Sequence, residues 1–241
     1  MRTIYSDAHQ KHAGAMEFVN GQMVPMFEKP ERMDMVLKRM TEVGFGDLHP
    51  PRSFGIEPML KVHDEGYIDF LKNAYGRFRE HGDPGDFASG FVFAMRGLRQ
   101  APNPNIYAQF GYYTFDLSVP FVEGTWQAIE SSCDVALTAR EQLAEGGERA
   151  VFAVCRPPGH HAGAALAGGY CYVNNAAVAA QAFRDDGAKR VAILDVDYHH
   201  GNGTQSIFYD RGDVLFVSLH GHPDQEYPYF AGYAEETGSG E

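Results

Sequence analysis

A chain of 241 residues, 44% apolar and 22% charged, has the composition of an ordinary globular protein and material for one large domain or two small ones. Its formal net charge of -12 excludes a surface built to neutralise nucleic-acid phosphates and favours cationic ligands through the long-range field, although acidity is also common among globular proteins of no such function. No apolar run is long enough for a bilayer, the start Met1-Arg2-Thr3-Ile4 lacks a signal-peptide core, and three cysteines make no disulfide framework, so a cytoplasmic protein without membrane partners is expected.

Arg2 to Tyr5 is a short strand candidate. Glu31 to Val43 places Met33, Val36, Leu37 and Met40 on one side of a helix, and Tyr67 to Phe78 reads as another. Glu80 to Gly124 is rich in Gly, Pro and aromatics without a sustained period, as expected of an interaction element. Its aromatics, among them Phe91, Phe93, Phe110 and Tyr113, must pack on this domain or on a second chain. Thr125 to Leu143 is a long helix with Gly146-Gly147 as its stop. From there, apolar strands at 150–155, 190–196 and 214–219 alternate with an Ala-rich helix from Asn174 to Phe183, stopped by Gly187. Such alternation predicts an α/β fold whose parallel strands are buried under helices on both faces.

Two segments carry chemistry. Arg156-Pro157-Pro158-Gly159-His160-His161 follows the strand ending near Cys155, and Asp195-Val196-Asp197-Tyr198-His199-His200-Gly201-Asn202 follows the strand ending near Leu194. Both lie beyond carboxyl ends of parallel strands, where open α/β sheets place ligand sites. In an extended chain Asp195, Asp197 and His199 point to one side, and an Asp oxygen with a His nitrogen suits zinc. The adjacent histidines can supply a general base and an electrostatic partner. A single histidine there is usually a satisfied polar group, and an Asp-rich turn is often a helix cap. Two His-His pairs at two strand ends outweigh that reading.

These blocks, with Gly168-Gly169-Tyr170-Cys171-Tyr172-Val173-Asn174-Asn175, resemble the signature segments of zinc-dependent histone deacetylases. The stretches Ile4 to His9, Val62 to Tyr67, Gly111 to Tyr113 and Gly232 to Gly238 look most like the acetylpolyamine amidohydrolase branch. The resemblance implies a three-layer arginase/deacetylase-like fold with a central parallel sheet. It implies zinc, or alternatively ferrous iron, on Asp197 and His199. His161 would take a proton from metal-activated water, His160 would polarise that water, and Asp195 would orient His160. Asn202 stands beside His161 where many histone deacetylases have Asp. A potassium ion would sit on Asp195, Ser218 and Leu219, with backbone carbonyls of Asp197 and His199.

On the same basis Gly169, Tyr170 and Tyr227 would line a narrow acyl tunnel, and Glu17 would meet the ammonium of a small cationic acetylated amine, of the N-acetylputrescine or N-acetylcadaverine type. Residues 80–124 match an insertion through which such enzymes form homodimers and narrow their entrance. Tyr107 and Ser118 stand where Glu is expected, with Asp116 nearby. The alternatives are deacetylation of acetyl-lysine in proteins, against which the insertion argues, and an inactive metal-binding fragment or scaffold. The family also needs a third zinc ligand, an Asp, and a transition-state-stabilising Tyr from a later segment. Asp210, Asp213 and Tyr233 do not match those positions. The resemblance therefore implies one deacetylase domain, 1–241, truncated at its carboxyl end. In relatives the late strands enter the middle of the sheet, so open apolar surface and poor stability are expected here.

Overall fold

A computed structural model describes residues 1–82, 85–95, 97, 99–144 and 147–240 of the chain. Strand β1 (Arg2–Ile4) runs between β4 (Leu48–His49) and β5 (Val151–Ala153), parallel to both, with Ile4 level with His49 and with Ala153. The two-residue period of β5 assigns its side chains to opposite faces. Val151, Ala153 and Cys155 meet Ile4 together with Val135 and Ala139 of the helix α5 (Thr125–Ala144). Phe152 and Val154 turn the other way, onto Met33, Leu37 and Met40 of α1 (Glu31–Glu42). Helices thus cover both faces and make three layers.

A second parallel pair, β6 (Val191–Asp195) and β7 (Val214–Ser218), sets Asp195 opposite Ser218. Val191 and Ile193 pack on Ala177 and Ala180 of α6 (Asn175–Asp185) and on Phe208 of α7 (Asn202–Phe208). The alternate residues Leu194, Leu215 and Val217 are 64%, 62% and 40% exposed. The expectation of strands buried on both faces is therefore corrected for β6 and β7. Helices cover one face only, and among the described residues neither strand pairs with β5.

The main core lies on the far side of α5. Helix α3 (Glu65–Glu80) starts at Asp64, whose Oδ1 accepts from the backbone of Gly66 and Tyr67 at 2.8 and 3.2 Å. It presents Tyr67, Phe70, Leu71, Ala74 and Phe78 at helical spacing, and Ile129, Cys133 and Leu137 of α5 join them. Because α5 is wedged between this core and the sheet, it is buried on both sides, which explains its weak amphipathic pattern. A short helix α2 (Glu57–Leu60) leads into α3, and Gly187 ends α6 in a left-handed turn (φ +96°). Gly146 of the expected stop after α5 lies outside the described residues.

Two further differences from expectation concern the first half. Residues 80–124 include a helix, α4 (Ile106–Tyr113), capped by Asn105, whose side chain accepts from Tyr107 N at 2.9 Å. Its Phe110 and Tyr113, with Phe121, are core residues, whereas Phe91 and Met95 are exposed. Strands β2 (Met16–Val19) and β3 (Gln22–Pro25) form a hairpin around Asn20-Gly21, both at positive φ. That dipeptide is the strongest short-range hairpin signal a sequence offers.

Candidate active site

The loops after β5 and β6 are held by buried polar groups. Arg156, 3% exposed, donates through Nε to Glu28 Oε1 at 2.9 Å, and through its terminal nitrogens to the carbonyls of His9 and His12 at 2.6 and 2.8 Å. A buried charge left unpaired would cost several kcal/mol, so this pairing fixes where the next residues begin. Asn174, at the start of α6, donates to the carbonyl of Ala162 at 3.1 Å and to Thr204 Oγ1 at 3.0 Å, tying one loop to the helix that follows the other. His63 receives the backbone N–H of Asn174 on Nε2 at 3.0 Å, so its Nδ1 carries the proton and donates to Gly163 O, also at 3.0 Å.

The His160 and His161 rings, tilted at 45° with centres 4.0 Å apart, have different partners. His160 Nδ1 lies 2.9 Å from Asp195 Oδ2, and His161 Nδ1 lies 2.7 Å from Asn202 Oδ1. An acceptor at each Nδ1 puts the proton there and leaves each Nε2 free toward the cavity. Burial, then the neighbouring His160, lowers the His161 pKa to about 3, against the opposing pull of Asn202. Burial raises the Asp195 carboxyl, but the hydrogen bond and charge of His160 outweigh it and hold Asp195 below its ordinary value. Gly201 is required beside this pair, since a Cβ there would sit 2.4 Å from Asp195 Oδ2.

The run from Asp195 to His199 is not extended, which corrects the reading that put three side chains on one side of a strand. Beyond β6 the chain turns, with Asp195 Oδ1 accepting from Asp197 N at 3.1 Å and Asp197 Oδ1 from His199 N at 2.8 Å. Asp195 is thereby turned toward His160, while Asp197 and His199 open into the cavity with side chains 53% and 42% exposed. Asp197 Oδ1 is 3.6 Å from His199 Nδ1 and 3.9 Å from His160 Nε2. One carboxylate oxygen and one imidazole nitrogen fit as donors of a zinc site. Among the described residues no group of three or more such side chains gathers. Ser218 and Leu219 are brought beside Asp195 by the β6–β7 register, and Leu219 N donates to Asp195 O at 2.9 Å. Ser218 Oγ is paired with His220 Nδ1 at 2.8 Å.

A cavity of about 780 Å3 joins His160, His161, Asp197 and His199 to Gly169, Tyr170, Tyr227 and Glu17. The Tyr227 ring stands edge-on to His161 and His199, at 4.9 and 5.7 Å. Gly169 has φ +53°, and a Cβ there would lie 2.2 Å from His161 Cδ2. Tyr170 donates its hydroxyl to Glu17 Oε2 at 2.8 Å, while Glu17 Oε1 accepts from Phe27 N at 2.9 Å. Of the site residues named from the sequence, Glu17, His160, His161, Gly169, Tyr170, Asp197, His199 and Tyr227 line this cavity, whereas Asp195, Asn202, Ser218 and Leu219 do not. Sequence reasoning missed the Arg156–Glu28 anchor, which the charge following an apolar strand could have flagged. It noted Asp116 near Ser118 but gave it no role, whereas Asp116 accepts from Gly169 N and from the Tyr227 hydroxyl.

Comparison with known proteins adds three findings. The profile of the histone deacetylase domain matches residues 26–241. Acetylpolyamine amidohydrolase 2 of Pseudomonas aeruginosa is 57% identical over 240 residues, and the acetylpolyamine amidohydrolase of Mycoplana ramosa is 48% identical over 240; each match takes in 100% of this chain, and 69% and 70% of the relative. The crystal structure of the acetylpolyamine aminohydrolase of Burkholderia pseudomallei superposes with a TM-score of 0.90 at 40% identity, over 100% of this chain and 69% of that one.

Proposed function

This chain belongs to the histone deacetylase family, and on that premise we propose that it hydrolyses the acetamide of small acetylated polyamines to free amine and acetate. The observation that carries the chemistry is His161, its Nδ1 engaged by Asn202 Oδ1 at 2.7 Å, in one cavity with Asp197 and His199, where burial lowers its pKa. The names of the similar proteins support the substrate class.

Zinc is the metal expected of the family, with ferrous iron as the other candidate, and Asp197 and His199 would hold it. Bound there, it supplies Lewis acidity toward the amide carbonyl and toward water. His161 Nε2 accepts the proton of the attacking water and returns it to the leaving amine nitrogen. Asn202 keeps that ring in the tautomer with Nε2 unprotonated. His160, oriented by Asp195, directs its own Nε2 at the same water. A potassium ion would sit where Asp195 meets Ser218 and Leu219, with the carbonyls of Asp197 and His199, and would stiffen the turn.

Aromatic walls from Tyr170 and Tyr227 suit a slender aliphatic chain, and Glu17 supplies negative charge for its distal ammonium. The exposed Phe91 and Met95 support residues 80–124 as a homodimer surface at the entrance, within a single domain spanning 1–241. The unpaired Cys133, Cys155 and Cys171 support a reducing cytoplasm.

The zinc-loaded protein should release acetate from N-acetylputrescine and lose that activity on chelation. His161→Ala should lower kcat by about 100- to 10,000-fold with zinc content unchanged. Absence of acetate release from the loaded protein, or an unimpaired His161→Ala, would reject the reading.

A further inference from the structure

The walls of the cavity come from segments far apart in sequence, and one carboxylate joins them. Asp116 Oδ2 accepts from the backbone N–H of Gly169 at 3.0 Å and from the Tyr227 hydroxyl at 2.6 Å. Its Oδ1 accepts from Ser118 N at 3.0 Å and from Ser118 Oγ at 2.7 Å, and Ser118 Oγ in turn accepts from Tyr170 N at 3.3 Å. The corner it grips is strained. Gly169 and Tyr170 take consecutive left-handed conformations, φ +53° and +66°, and Tyr170 does so with a side chain. Such a corner persists only where its surroundings over-determine it. Here both of its N–H groups are claimed by the Asp116–Ser118 unit.

The same segment is fastened along its length. Phe115 N donates to Ala167 O at 3.0 Å, Ala167 N to Tyr113 O at 2.8 Å, and the Phe115 ring stacks on Tyr227 at 6.3 Å. Tyr227 and Gly169 both abut the His161 ring, so the separation of these two walls decides what reaches Nε2. Burial, and then Asp116, raise the Tyr227 pKa, so its hydroxyl stays a donor.

We propose that Asp116 is a positioning residue that sets the width of the cavity at His161 by holding Gly169, Tyr170 and Tyr227 in fixed relation, and that it thereby selects a short acyl group. The selection rests on the deacylase reading above; the clamp itself does not. An ionised carboxylate is needed because all four of its partners donate. An amide would have to turn its NH2 toward two of those donors.

The test combines amide hydrogen exchange with binding of N-acetylputrescine and N-butyrylputrescine to the zinc-loaded protein. Asp116→Ala should speed exchange at Gly169 and Tyr170 about tenfold or more, the scale of a lost charged hydrogen bond. It should also reduce the preference for acetyl over butyryl at least about fivefold. Asp116→Asn should fall between it and wild type. Ser118→Ala should speed exchange at Tyr170 and leave Gly169 protected, which preserves the test if Asp116→Ala does not fold. Tyr227→Phe should widen acyl preference without changing exchange at Gly169, and should add nothing in the Asp116→Ala background. Exchange within twofold of wild type in both the Asp116 and Ser118 variants overturns the clamp. Unchanged acyl preference in the Asp116 variants, with wild type binding the acetyl compound, overturns its role in selection. If wild type binds neither amide, the functional reading fails and exchange alone decides the clamp.

Discussion

At His161 the partner of Nδ1 is a neutral amide, Asn202 Oδ1 at 2.7 Å, whereas at His160 it is the Asp195 carboxylate at 2.9 Å. The amide fixes the tautomer without stabilising an imidazolium as a full negative charge would, so burial dominates and His161 titrates low, at about 3. Asn202→Asp would place a charge on that nitrogen and raise the pKa by about 1 unit or more. His161 must be unprotonated to accept a proton, so the acid limb of kcat/KM should move to higher pH by that amount. A kinetic pH profile checks this, and an unmoved limb would mean that Asn202 does not set the basicity. His160, His161, Asp197 and His199 were legible in the sequence because each pair sits in a short block at a strand end. The role of Asp116 was not, because its contacts reach 53 residues forward to Gly169 and 111 to Tyr227, and no local spacing reports such a contact.

Among the elements, α4 shows best where sequence periodicity fails. Its residues Ile106–Tyr113 are apolar or aromatic nearly all round, so no face stands out, yet Phe110 is fully buried and meets Phe70 and Phe121 edge-on at 5.3 and 5.5 Å. Phe110→Ala should destabilise the fold by about 3–5 kcal/mol, read by chemical denaturation, because the surrounding rings cannot close the cavity. A loss under about 1 kcal/mol would show that this part of the 80–124 segment is not core. The helices α1, α3 and α6 were readable because one side of each faces water and their apolar residues recur at helical spacing. The β2–β3 hairpin was readable in principle from Asn20-Gly21, but only its strand register, set by cross-strand pairing, places Glu17 at the cavity.

Across the whole molecule, the parallel strands fall into two groups with different cover. Around β1 both faces are buried, while β6 and β7 leave Leu194, Leu215 and Val217 open on one face. An exposed apolar face of this kind favours association. The 241-residue chain should therefore self-associate at micromolar concentration, and Leu215→Thr, which keeps strand propensity while removing apolar area, should lower the weight-average mass in light scattering. A monodisperse monomer in the unsubstituted chain would contradict this.

The net charge of -12, the carboxylates of Glu17 and Asp116 at the cavity, and its tyrosine walls all bear on the same choice of substrate. The most direct measurement is a competition for the zinc-loaded protein between N-acetylputrescine and an acetyl-lysine histone peptide, read as the ratio of kcat/KM. Faster deacetylation of the small amine is expected; equal or faster cleavage of the peptide would contradict the assignment.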